Sequence, residues 1–200
     1  MRIRTGIRIE YISSAWMIVE VVGSIGFGLA SGSLALLAFG GDSLIELISG
    51  FTVLTFLRRN AGGPEVHGEK RTEQVTSALL FSLIPIIGLG AVYSYLTGIR
   101  PEGSPLGIAI AIGAVIVMPY LWLEKKRIGL ETRSLPLTMD AIESVTCFFM
   151  AAALLSGLLI EYFFRLWWAD YVAAAVIMVF VGREALESIE KIREHQGQLD

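Results

Sequence analysis

The sequence is short of charge and of cysteine, and each shortage excludes something. Only 18 % of the 200 residues are charged while 54 % are hydrophobic, against roughly 25 % and about 45–50 % in soluble domains. An ordinary soluble domain is thereby excluded, and a bilayer is the expected solvent. The single cysteine, Cys147, rules out an internal disulfide and a Cys-x-x-Cys site within one chain. A net charge of −3 leaves no basic surface for nucleic acid, so no nucleic-acid partner is expected. There is no His-Glu-x-x-His motif, no phosphate-binding glycine loop and no Ser/His pair, and an enzyme is not expected. Residues 2–8 (RIRTGIR) resemble the basic start of a signal peptide but lead to no small-x-small cleavage site, which predicts a retained first helix.

What is present is a series of apolar segments at 11–30, 34–57, 74–98, 105–123, 137–160 and 166–182. Each is close to the ~20 residues a membrane helix needs, so the fold class is all-α, an integral membrane bundle of six transmembrane helices. With the N-terminus cytoplasmic, 14 of the 16 Lys and Arg residues fall on the cytoplasmic side, and only Arg100 and Arg165 lie outside. That bias predicts an N-in/C-in topology. The segment 124–136 (EKKRIGLETRSLP) reads as a basic cytoplasmic loop, and 60–73 as a polar loop with a lone histidine, His67. Two regions are expected: the six-span unit at 1–183 and a short amphipathic cytoplasmic tail at 184–200, with Leu186, Ile189 and Ile192 on one face and no C-terminal cytosolic domain.

Five acids, Glu20, Asp42, Glu46, Asp140 and Glu143, fall within these spans, with no lysine or arginine except at span ends. Five unpaired ionised acids would cost on the order of 10 kcal/mol, so they are expected to be protonated, hydrated or paired with a cation from outside the chain. Asp42 and Glu46 are i and i+4 on the second span, and Glu143 and Cys147 are i and i+4 on the fifth. Each pair shares a helix face, and antiparallel packing of the two spans would bring the pairs together. Four donors of this kind suit a divalent transition metal: tetrahedral zinc, or manganese, iron or cobalt where oxygen donors dominate. For Cys147 a small apolar filler role is equally open. Asp140 is a candidate acceptor behind the ligands, an entry ligand or a helix cap, Glu20 a candidate proton carrier or ligand support, both are candidates for a proton pathway, and Asp170 is an interfacial helix start.

The stretches SGSLALLAFGGDSLIELISG (31–50), SLPLTMDAIESVTC (134–147) and WWADYVAAAVIMVFVGREAL (167–186) resemble the second, fifth and last spans of the cation diffusion facilitator family of divalent-metal exporters. The resemblance covers the six-span unit and implies metal efflux. It places Asp42, Glu46, Glu143 and Cys147 on the family's four ligand positions, where His and Asp are usual, and Phe39 where the family has an Asp. It also implies a homodimer, and it suggests the plasma membrane of a prokaryote. Because carboxylates and thiolates bind metal only when deprotonated, metal/proton antiport by alternating access is expected, with low outer pH favouring release. A metal-sensing or partner-binding membrane protein of the same fold is the alternative, and anionic residues in an apolar cavity would also suit an organic cation.

Overall fold

A computed structural model describes the backbone of residues 2–59 and 69–197, and the side chains of 4–55, 57–58, 78–134 and 136–187. His67 lies outside the described residues. The chain is built from α1 (Arg2–Ser31), α2 (Leu34–Arg59), α3 (Glu69–Thr97), α4 (Pro105–Thr132), α5 (Leu135–Phe164) and α6 (Trp168–Gly197). Among the described residues α1 to α5 each contain a stretch long and apolar enough to cross a membrane. In α6 the apolar run Val172–Val181 is bracketed by Asp170 and Arg183. The chain is an integral, multi-pass membrane protein.

α2 is the inner helix. It packs against α1, α3, α5 and α6, and the outer helices follow one another around it in the order α1, α4, α5, α6, α3. Of its span, 67 % is buried, against 17–39 % for the other four. Small residues let it sit so close: a Cβ added to Gly40 would lie 3.0 Å from the backbone nitrogen of Ile25 on α1. Of the α1 glycines, Gly28 abuts Leu36 and Leu37 of α2, whereas Gly26 faces open space.

The helices stop where backbone chemistry changes. Ser104 caps α4 by accepting from the Gly107 N–H at 3.1 Å, with Pro105 at the first helical position, where its missing N–H costs nothing. α4 ends at Arg133 and α5 at Arg165, both left-handed at φ 52° and 54°. The expected loop at 124–136 is therefore a turn at 133–134 only, because the leucines and isoleucines spaced among its charges continue the α4 helix. α6 likewise runs unbroken past residue 183 to Gly197, and Leu186, expected on the apolar face of an amphipathic tail, is exposed.

This extension of α4 overturns the expectation that the acids within the spans have no counter-charge from the chain itself. Lys125 is fully buried. Its Nζ lies 2.6 Å from Asp140 Oδ2 of α5 and 3.9 Å from Glu10 Oε1 of α1, and it donates to Ser144 Oγ at 3.2 Å. One lysine thus joins three helices. Its cation is tolerated inside the bundle because two carboxylates and a hydroxyl replace the water it loses.

A second charged tie lies at the opposite end. Asp170, expected only to start its own helix, is fully buried and caps α2 instead. Its Oδ2 accepts from the Leu34 N–H at 2.8 Å and the Ala35 N–H at 3.3 Å, and its Oδ1 accepts from the Ser33 hydroxyl. Ser33 Oγ in turn accepts from the Leu36 N–H at 3.1 Å. A carboxylate at a helix N-terminus satisfies amides that have no partner within the helix and meets the positive end of the helix dipole.

Replacing Asp170 by Ala should lower stability by about 2 kcal/mol, as expected for a lost cap with buried amides left unsatisfied, measured by denaturant titration in detergent. Lys125→Met should cost about 3–5 kcal/mol by stranding the acids around it. The double variant Lys125→Met/Asp140→Asn should recover most of that loss, and additive losses would show that the pair contributes nothing as a pair.

Candidate metal site between α2 and α5

Asp42 and Glu46 sit one turn apart on the α2 face that meets α5. Both are buried. The antiparallel run of α5 brings Cys147 to the same level, and one donor atom each of Asp42, Glu46 and Cys147 lies within 4.8 Å of the others. Zinc bonds of about 2.0–2.3 Å separate tetrahedral donors by roughly 3.5 Å, so side-chain rotations of about an ångström would close the three on an ion. Glu46 Oε1 has no hydrogen-bond partner among the described residues. A buried acceptor of that kind carries a desolvation penalty until something positive reaches it.

A cavity of about 140 Å³ opens beside the group, with Asp42, Glu46 and Glu143 on its wall. Glu143 does not join the three-residue group, so the four expected donors divide three and one. One helical turn before Cys147, it is displaced by about 6 Å toward the start of α5. Cys147 is fully buried and does not line the cavity.

Glu184 and Glu187 of α6 also line the cavity. Burial raises the Glu184 carboxyl well above the usual carboxylate range, with Asp42, Glu143 and Glu46 adding to the effect. Sequence reasoning assigned both glutamates to a solvated tail. Their i, i+3 spacing puts them on one face of α6, and that was the available signal, but nothing in the sequence says the face meets α2 and α5.

Asp140 lies outside this cavity, in the Lys125 pair described above. Glu20, on α1, accepts from the Trp16 indole N–H through Oε1 and from the Ser43 hydroxyl at 3.4 Å through Oε2. Both are buried, and both stand next to the metal-site helices. Glu10, which sequence reasoning passed over because it precedes the first apolar stretch, belongs with them.

The arrangement can offer a divalent cation two carboxylates and a thiolate beside a cavity lined by three further acids. Thiolate favours zinc, and the oxygens admit manganese, iron(II) or cobalt. Residues 11–192 match the cation efflux transmembrane domain. The chain is also similar to the cation-efflux pump FieF of Shewanella oneidensis, with 26 % identity over 170 residues. The match takes in 80 % of this chain and 56 % of that protein, so the chain spans a little over half the length of its curated relative. With a match over nearly its whole length, and with the six helices and inward-facing acids described above, the chain belongs to the cation efflux family.

Proposed function

We propose that the protein exports a divalent transition-metal cation, Zn²⁺, Mn²⁺, Fe²⁺ or Co²⁺, by metal/proton antiport. The observation that carries this reading is the convergence of Asp42, Glu46 and Cys147 from two antiparallel helices at the end of an acid-lined cavity. The ion enters past Glu184, Glu187 and Glu143, sheds water stepwise against carboxylates, and is held by the inner three. Family membership and the name of the Shewanella relative support a cation as cargo. A bacterial relative also fits a prokaryotic plasma membrane. Alternating access follows if the bundle then closes this cavity and opens at the other end.

The charge arithmetic supports exchange for protons. Two carboxylates and a thiolate bind metal only when deprotonated, and an empty buried site is neutral only when protonated. Protons reaching the site from the far side therefore displace the ion and reset the carrier. Glu184, already held above the usual range, takes up a proton as cytoplasmic pH falls, so acid on the loading side reduces metal uptake.

The test is metal flux in proteoliposomes across Zn²⁺, Mn²⁺, Fe²⁺ and Co²⁺, with and without a pH gradient. Asp42→Asn and Glu143→Gln should abolish flux in folded protein, and Glu184→Gln should slow it by about tenfold. Undiminished transport in both of the first two variants would sink the site assignment. Metal binding without flux in the parent protein would replace transport by the metal-sensing reading.

A further inference from the structure

One line of α1 faces outward from the bundle and changes character along its length. Arg4, Arg8 and Tyr11 are exposed and, at 3.6 residues per turn, fall within an arc of about 60°. Ile18 and Val22 continue the same line and are 47 % and 69 % exposed. The opposite side of the helix, at Ser13, Met17 and Glu20, is buried against the bundle. Basic first, then aromatic, then apolar, the line has the order of one membrane leaflet read from the water inward. From Tyr11 to Val22 the rise is about 16 Å, close to the ~15 Å hydrocarbon depth of a leaflet.

α2 adds a third guanidinium at the basic end. Arg58 is exposed, and its Cζ stands 5.0 Å from the centre of the Tyr11 ring. Tyr11 thus holds an arginine of α2 beside two arginines of α1. Among the described residues the ion pairs are those of Lys125 with Asp140 and Glu10 and of Arg127 with Glu124. Arg4, Arg8 and Arg58 therefore have no carboxylate at ion-pair distance among these residues. Glu10, the acid nearest to them in sequence, is fully buried toward Lys125. Three guanidiniums gathered without an acid repel one another, and a phosphate offers them bidentate acceptors.

We propose that this face of α1, with Arg58 of α2, is a binding site for one anionic phospholipid. Its phosphate lies among Arg4, Arg8 and Arg58 at headgroup level, and an acyl chain runs over Tyr11, Ile18 and Val22. The combination of charge and an apolar line of leaflet length selects a lipid over a soluble anion, which would leave the line uncovered. It also disfavours a second copy of the chain, because a two-fold axis along the membrane normal would set these arginines against their own counterparts. The bound lipid would join the start of α1 to the far end of α2, the helix that carries Asp42 and Glu46. The site is independent of the transport reading and stands or falls without it.

The experiment is native mass spectrometry of the purified protein in detergent with phosphatidylglycerol and phosphatidylcholine added in equal amounts. The parent should retain phosphatidylglycerol in preference by about tenfold or more, because each arginine near the headgroups favours an anionic lipid by about fivefold. Arg8→Gln/Arg58→Gln should bring the preference to within about twofold of unity, and Tyr11→Leu should lower it severalfold by releasing Arg58. Arg127→Gln, on α4, should leave it unchanged. All three variants alter exposed side chains, and circular dichroism checks that each is folded. Equal retention of the two lipids by the parent overturns the site, and so does an undiminished preference in Arg8→Gln/Arg58→Gln. An equal loss in Arg127→Gln overturns it in favour of net charge alone. Displacement of phosphatidylglycerol by millimolar glycerol phosphate overturns it in favour of a free anion, and lipid uptake only after a dimer is split overturns it in favour of a second copy.

Discussion

An ionised side chain deep in a bilayer costs about 2.5–3.5 kcal/mol on insertion scales unless something compensates it, and that constraint organises this bundle. Seven acids and one lysine are buried among the described residues. Asp170 is compensated by backbone amides at the start of α2. Asp140 is compensated by Lys125. Glu20 has an indole N–H and a hydroxyl. Among the described residues no lysine or arginine reaches Asp42 or Glu46 at ion-pair distance, and Glu161 on α5 is buried without one as well. Among the described residues the buried lysine is used elsewhere, and the Asp42–Glu46 pair on α2 has no cation of the chain beside it.

The parts of this organisation that were legible in the sequence are those governed by local spacing. Asp42–Glu46 and Glu143–Cys147 are i, i+4 pairs, and helix geometry alone puts each pair on one face. The apolar segments gave six helices in the right order for the same reason. What was not legible depends on which face of one helix meets which face of another. The Asp170 cap joins residues 136 apart in sequence, and no local pattern distinguishes it from an interfacial aspartate.

Lys125 was hidden for a different reason. Hydropathy ends a span at its first cluster of charges, so 124–136 looked like a loop, although Ile128 and Leu137 continue a buried apolar face on either side of the turn. Glu10 was missed at the mirror-image boundary, where α1 begins before its apolar stretch. Helices in a bundle extend beyond the hydrocarbon wherever neighbours cover them, and their buried ends accept charged residues that a lipid-facing surface would reject. Glu184 follows the same rule at the end of α6, half-buried against the cavity, while Glu187 beside it is exposed.

The Asp170 tie has a mechanical consequence. Leu34 is clamped at the start of α2, while at the other end Arg58 stacks on the exposed ring of Tyr11 at 5.0 Å, a contact of about 0.5–1 kcal/mol. α2 is thus an arm fixed by charge at Leu34 and held at its other end by the apolar packing of Val53, Leu54 and Leu57. Asp42 and Glu46 lie about 12 and 18 Å along the arm. A tilt of roughly 10° would carry them about 2 and 3 Å, enough to separate them from Cys147 without breaking a helical hydrogen bond. The same small rotation about Leu34 would displace the far end of α2 by more than either, so the cavity beside Asp42 and Glu46 would change most at its mouth.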